Sequence, residues 1–276
     1  MVKLQSLDME CLQGSTGQPA AEPLLRPHQS LSALDVLAVT PASPENLEAL
    51  SMLQTGARVH GADAWNCVIW NEARRLVVVQ GNPPPDSISF ALEHCPQARV
   101  ILARDGISCG IHSVLRGWHC ASAERFIFDS HQFKPRLSGP RAEFFDVITY
   151  AHMLPGLGET FRDELLEAHS EGPVAISLDD GCIAAYCFAG WRVQGFFDLC
   201  VVTLPAFRRR GHAFSCCSAL ISTLQAAGQH PQWFTLSTNL PSIELAYQLG
   251  FRRLESLLLF KREPYNNQSP NGESHG

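Results

Sequence analysis

No stretch of this 276-residue chain approaches the run of about 18–20 apolar residues that a membrane span requires. The opening segment, MVKLQSLDMECLQG, lacks the apolar core of a secretory signal. Ten cysteines are present, but no CxxC pair and no zinc-ligand spacing occurs among Cys11, Cys67, Cys95, Cys109, Cys120, Cys182, Cys187, Cys200, Cys216 and Cys217. Several sit in apolar patterns, which reads as reduced, buried thiols in a cytoplasm; only Cys200 is placed where a catalytic thiol is an alternative. Charged residues make up 17% of the chain, the net charge is −6, and no basic stripe is visible. That balance speaks against nucleic acid as a general partner and leans towards cationic acceptors such as amines. Two familiar phosphate loops, GxGxxG and GxxxxGK[ST], are missing. The composition is that of a globular protein with no metal and no membrane partner, and nothing in it specifies an oligomeric state.

Five segments follow from the patterning. Residues 1–30 are polar and turn-rich and read as a loosely ordered segment. Residues 31–133 form an N-terminal α/β domain, 134–141 (KPRLSGPR) a linker, 142–262 a second α/β domain, and 263–276 a disordered tail with almost no apolar content. In the first domain Ser43-Pro44-Glu45 opens a helix with Leu47, Leu50 and Leu53 on one face. Strands over 65–70 and 76–80, a helix over 86–94, a strand over 98–103, a helix over 111–116 and a strand over 125–128 follow. The second domain repeats this alternation. Arg116-Gly117-Trp118 before Phe126-Ile127-Phe128 parallels Leu249-Gly250-Phe251 before Leu257–Phe260, and the strand 76–80 parallels 198–203. One reading is a degenerate copy of the same half-fold; the other is that such alternation is common and the likeness accidental.

The most informative stretch is FFDLCVVTLPAFRRRGHA, from Phe196 to Ala213. It predicts a strand, a turn at Pro205, and a basic glycine-containing loop, Arg208-x-x-Gly211-x-Ala213, opening a helix. Converging N–H groups and the helix dipole would bind a pyrophosphate there. Ala213, Cys216, Cys217, Leu220, Ile221 and Leu224 continue at helical spacing to a stop at Gly228. Trp233–Leu236 reads as a buried strand, Asn239-Leu240-Pro241-Ser242 as a helix start, and Leu257–Phe260 as a last strand.

This succession resembles the GNAT superfamily of N-acyltransferases, over roughly residues 141–262. The loop matches the Arg/Gln-x-x-Gly-x-Gly/Ala coenzyme A loop. Asn239-Leu240-Pro241-Ser242 and Tyr247-Gln248-Leu249-Gly250-Phe251 stand for the family's Asn-x-x-Ser/Ala and Tyr-x-x-Leu-Gly-Phe motifs. Asp198, Thr203, Pro205, Phe207, Arg208, Gly211 and Ala213 match a bacterial group carrying Thr-x-Pro-x-Tyr/Phe-Arg-x-x-Gly-x-Ala. That group has two acidic residues two apart on the strand; here the second position is Cys200, which weighs against a two-carboxylate mechanism.

The resemblance implies an α/β GNAT fold, a mixed, mostly antiparallel twisted sheet flanked by helices, with 142–262 as the N-acyltransferase domain; on the first of the two readings above, 31–133 is a degenerate GNAT-like copy of it. It implies acetyl-CoA as co-substrate, an amine acceptor that is a small molecule, and direct attack in a ternary complex. Val201, Val202 and Thr203 would pair with the pantetheine arm as an added strand does. The amides of Arg209, Gly211, His212, Ala213 and Phe214 would face the pyrophosphate. Arg208, Arg209 and Arg210 cannot all reach one ligand, so one remains a surface charge. Tyr247, one of four tyrosines, is the candidate general acid for the leaving thiolate; otherwise it is a packing residue. Asn239 and Ser242 would hold the pantetheine, Asn239 alternatively capping its helix. Asp198 is the candidate base, or a strand-end carboxylate tied to a neighbour. Trp191 and Arg192, at the turn before that strand, would line the acceptor pocket, while His152 and His169 read as surface histidines. The triple proline Pro83–Pro85 stands where the first domain would need a phosphate loop, and proline has no N–H to donate. Two further readings are a non-catalytic acyl-CoA sensor and a transferase for a non-acetyl donor.

Overall fold

The structure, a computed structural model, describes residues 31–104, 106, 110–134, 139–193 and 195–262. The segments 1–30 and 263–276, residues 135–138 of the linker, and Cys11 and Cys109 lie outside the described residues. The first half runs α1 (Ala33–Val39), α2 (Leu47–Gln54), β1 (Arg58–Asp63), β2 (Asn66–Asn71), β3 (Leu76–Gln80), α3 (Pro85–His94), β4 (Val100–Arg104), α4 (Gly110–Val114) and β5 (His119–Phe128). The second runs β6 (Ala142–Phe144), α5 (Glu159–Glu171), β7 (Val174–Asp179), β8 (Cys182–Val193), β9 (Phe196–Thr203), α6 (His212–Ala226), β10 (His230–Leu236), α7 (Leu240–Gln248) and β11 (Phe251–Lys261).

All eleven strands form one sheet, in the order β1-β2-β3-β4-β11-β5-β10-β9-β8-β7-β6. Eight of the ten pairings are antiparallel; the exceptions are β3 with β4 and β9 with β10. This is the mixed, mostly antiparallel α/β architecture that the sequence predicts. The two halves exchange their last strands. β5 of the first half pairs with β10 of the second, β11 of the second pairs with β4 of the first, and β5 and β11 pair with each other over ten residues in the centre.

Local sequence explains most elements. Leu76-Val77-Val78-Val79 is β-branched and buried on both faces, as a strand with a parallel neighbour requires. Ser32 caps α1 in a box with Asp35. Pro85 begins α3, at a first-turn position that needs no N–H. Helix α6 buries Cys216, Cys217, Leu220, Ile221 and Leu224 against Phe197, Leu199 and Trp233. On the opposite face α5 covers Ile176, Tyr186 and Val202. Helix α2 of the first half sits over β8 of the second, with Leu47 and Leu50 against Val193 and Trp191.

Three boundaries differ from expectation. The last strand begins at Phe251, six residues early: Arg252 and Arg253 are exposed charges, and a register shift at Arg253/Glu255 breaks the alternation that would mark a strand. β5 likewise starts at His119, where exposed and buried positions mix. Trp191 and Arg192 lie inside β8, carried by an irregularity between Ala189 and Arg192, and do not form the turn before β9.

Candidate coenzyme and acceptor site

β9 and β10 are hydrogen-bonded only from Phe196 to Asp198 and from His230 to Gln232. Beyond that each holds to its outer neighbour, β9 to β8 through Thr203 and β10 to β5 through Leu236, so the two strands part in a V. A cavity of ≈ 1780 Å³ fills the opening and continues across the sheet to the first half. Single-ligand pockets run to about 1,000 Å³, so this space suits two molecules.

At one end of the V stands the basic loop. A 3-10 turn over Pro205–Phe207 leads to Arg209 with φ of 63° and Gly211 with φ of 90°, the N-cap of α6. Left-handed residues so close together turn successive N–H groups inward, as in an anion-binding nest, and the unsatisfied amides of the first turn of α6 add to it. Glycine suits position 211 because a side chain at that φ would be strained.

Of the predicted coenzyme residues, Val201, Val202, Thr203, Arg208, Arg209, Gly211, His212, Ala213, Phe214, Asn239 and Ser242 all line the cavity. Arg210 does not; its guanidinium pairs with Asp179 at 2.9 Å, at the end of β7. The His212 ring is buried, bonded to Ser177 Oγ at 2.9 Å and facing Asp179 Oδ2 at 3.3 Å, so its side chain braces the loop while its backbone stays at the cavity. Ser215 Oγ donates to Pro140 O at 2.6 Å and ties the end of the linker to the same helix start. Asn239 caps α7 by accepting from Ser242 N at 3.4 Å, and Ser242 Oγ accepts from Trp233 Nε1 at 3.0 Å. Both residues therefore have structural bonds as well as cavity exposure.

Asp198 lies on the cavity wall at the apex of the V, where β9 and β10 begin to separate. Its Oδ1 is sealed from solvent and has no partner among the described residues. Burial raises its carboxyl well above the usual range; the Glu48 carboxylate pushes the same way and Arg125 opposes. The neighbouring Cys200 thiol is also raised well above its ordinary value, by burial first and then by the Asp198 charge. A thiol held protonated is a poor nucleophile. Gly190, opposite on β8, leaves room for this thiol: a Cβ there would stand 2.8 Å from Cys200 Sγ.

The first half supplies the remaining wall, which the sequence reading did not anticipate. Glu48, Ser51, Gln54 and Thr55 of α2 and Arg74 and Arg75 of the β2–β3 turn all line the cavity. Glu48, Ser51 and Thr55 fall at i, i+3 and i+7, and polar residues at that spacing beside Leu47 and Leu50 were the available signal. Glu48 is held by Arg125 of β5 at 2.6 Å, and Arg125, itself buried, also pairs with Glu255 of β11 at 3.2 Å. This cluster joins α2 to the two central strands.

Tyr247 requires a correction. It is not a lining residue; its ring meets Phe126 edge-on at 5.5 Å between centroids, and about half of it is exposed. The family motif has two residues between tyrosine and leucine, whereas Tyr247 and Leu249 have only Gln248 between them. The position in register is Ala246, which is fully buried. One residue is about 100° of helix rotation, enough to turn the hydroxyl off the cavity wall formed by Ser242, Leu245 and Gln248. His169 is not a surface residue as expected: its Nδ1 is buried and its ring packs on Phe145 at 5.1 Å.

Among the described residues no group of three or more His, Cys, Asp or Glu could hold a metal ion, and no helix is long and apolar enough to cross a membrane.

Residues 163–260 match the family model of the GNAT acetyltransferases. A GCN5-related N-acetyltransferase-like protein from Streptococcus suis is similar in structure, with a TM-score of 0.58 at 16% identity over 83% of this chain and 99% of that one. A GCN5-related N-acetyltransferase from Sphaerobacter thermophilus gives a TM-score of 0.56 at 12% identity, over 85% and 94% of the two chains. A GNAT-family acetyltransferase from Colwellia psychrerythraea gives 0.54 at 11%, over 86% and 100%. None of the curated proteins matches this chain. At these identities the neighbours speak for the fold, and the family match covers the strands and helices that build the V. Residues 163–260 thus resemble the GNAT acetyltransferases, and the fold of the chain is that of the GNAT structures.

Proposed function

We propose that this protein transfers an acyl group, acetyl in the first instance, from coenzyme A to an amine by direct attack in a ternary complex. The observation that carries the reading is the V between β9 and β10, with an anion nest at its open end and, at its apex, a buried carboxylate whose Oδ1 has no partner among the described residues. The residues fit the coenzyme. The loop amides from Arg209 to Phe214, with Arg208 and Arg209, would hold the diphosphate. The β9 backbone from Leu199 to Thr203 has no ladder partner on its β10 side and would pair with the amides of the pantetheine arm. The thioester supplies an activated acyl carbon. Asp198 would take the ammonium proton so that the amine lone pair is free to attack; its raised affinity for protons makes it a stronger base than an exposed carboxylate. The carbon–nitrogen bond forms as the carbon–sulfur bond breaks, the nitrogen gives up its second proton to water, and with Tyr247 off the wall the departing thiolate takes its proton from solvent.

We also infer that residues 31–133 are a degenerate copy of the 142–262 domain and bind no coenzyme. Its support is the order β3-α3-β4-α4-β5, which repeats β9-α6-β10-α7-β11 with a parallel pair in each. Pro84 and Pro85 occupy the start of α3, where N–H donors would be needed.

Titration calorimetry with acetyl-CoA, followed by thiol release on addition of amines, tests the transfer reading. Failure to bind acetyl-CoA would remove it. Binding without thiol release to any acceptor would favour an acyl-CoA sensor, a reading that the displaced Tyr247 also suits.

A further inference from the structure

The acceptor end of the cavity contains cations that the transfer chemistry does not use. Arg74, on the β2–β3 turn, lies over the Trp191 ring at 4.5 Å and donates to Ser51 Oγ at 3.0 Å. Burial lowers its pKa, and the nearby Glu171 charge works against that. Arg192 follows Trp191 on β8 and rests its guanidinium on Gly172, the residue after Glu171; a Cβ at 172 would collide with it. Among the described residues neither arginine forms an ion pair, whereas Arg58, Arg104, Arg125, Arg162, Arg210 and Arg253 all do. Both line the cavity together with Trp191. Glu171 faces Arg74, and Glu164, on the same helix, is taken up by the Tyr186 hydroxyl.

The second charge of the site is Asp198. Arg192 is paired in register with Phe197, the residue before Asp198, and Arg192 and Asp198 both line the cavity.

We propose that the acceptor is a zwitterion: an amine carrying a carboxylate or phosphate group, whose anionic end is held by Arg74 and Arg192 across Trp191 while its ammonium meets Asp198. Arginine forks match planar carboxylates and phosphates bidentately, and Arg74 is already oriented by its stack and by Ser51. The first half of the chain thereby contributes specificity, since Arg74 and Ser51 both belong to it. This proposal rests on the transfer reading above.

The test uses the full chain saturated with acetyl-CoA and matched acceptor pairs: α- and ω-amino acids against their decarboxylated amines, and phosphoethanolamine against ethanolamine. Thiol release gives kcat/KM, and ligand-observed NMR on the CoA-bound protein gives binding. An anionic member should exceed its neutral-tail partner by at least about tenfold, the scale of a charged hydrogen bond. Which pair shows the preference separates carboxylate from phosphate. Arg74→Lys and Arg192→Lys, which keep charge and stem but lose the fork, should narrow that ratio mainly through KM, and the double Arg74→Gln/Arg192→Gln variant should abolish it, with acetyl-CoA affinity kept as the sign of an intact fold. Equal turnover or binding within every pair, or a preference that survives the double variant, overturns the proposal. Binding of an anionic amine without turnover supports the proposal and counts against the transfer reading alone; no binding by any anionic amine to a protein that binds acetyl-CoA overturns the proposal and leaves the donor assignment standing.

Discussion

Asp198→Asn separates charge from shape at the apex of the V. The carboxylate holds its proton more tightly in the folded chain than in the unfolded one, because burial and Glu48 outweigh Arg125. The stability given by the protonated form is therefore complete below the unfolded value of about 3.9 and is lost as pH rises towards the raised folded value. Each unit of that raise corresponds to about 1.4 kcal/mol. Asparagine has no charge to desolvate; it inherits only an unpaired amide atom in place of Oδ1, a cost of about 1–3 kcal/mol that does not change with pH. In urea denaturation the wild type should lose ground to the variant as pH rises above about 3.9. Turnover should move in the opposite sense. Loss of the base should lower kcat by about 10²–10⁴-fold, and wild-type kcat/KM should climb with pH as Asp198 ionises. A stability difference that is flat with pH would show that the carboxylate is not held protonated. An unchanged kcat would show that it is not the base.

Gly211→Glu should weaken acetyl-CoA binding at least about tenfold, or about 1.4 kcal/mol, because it places a charge and a strained φ of 90° at the nest; calorimetry on the folded variant checks this, and the wild type should bind one acyl-CoA per chain. Arg125→Met should destabilise the protein by about 3–5 kcal/mol by leaving Glu48 buried without its partner, Glu255 keeping Arg104, read as a drop in the denaturant midpoint. Tyr247→Phe should leave kcat close to wild type between pH 6 and pH 9, since the hydroxyl points off the cavity wall; a large loss would return the tyrosine to the chemistry.

The coenzyme side of the site was readable because its signals are contiguous. A strand, a loop and a helix start within eighteen residues carry the nest, and the loop residues line the cavity except Arg210, which the Asp179 carboxylate draws aside. The α/β class was readable from alternating apolar runs. The exchange of β5 and β11 was not, because pairing Phe128 with Phe251 joins positions more than a hundred residues apart and leaves no local trace. The acceptor wall was hidden for the same reason: Glu48, Ser51 and Arg74 meet Asp198 and Trp191 only after the two halves share a sheet. Tyr247 was misplaced by one residue of helix, an error small in sequence and about 100° in space. Asp198 was proposed by type and position, but the burial of its Oδ1 without a partner among the described residues is visible only in the structure.

The exchanged strands also order events during synthesis. When the first 133 residues have emerged, β4 and β5 cannot pair as they do in the finished sheet, because the strand that belongs between them is the last one made. β4, with Ile101, Leu102 and Ala103 buried in the final structure, then presents an open apolar edge for the whole time needed to translate the second half. Such edges recruit other chains. The nascent chain is therefore expected to depend on holdase chaperones until residue 261 is released, and a ribosome stalled between 134 and 250 should accumulate an aggregation-prone product. Expressing the two halves as separate polypeptides should give little soluble protein alone and recover it when both are made together.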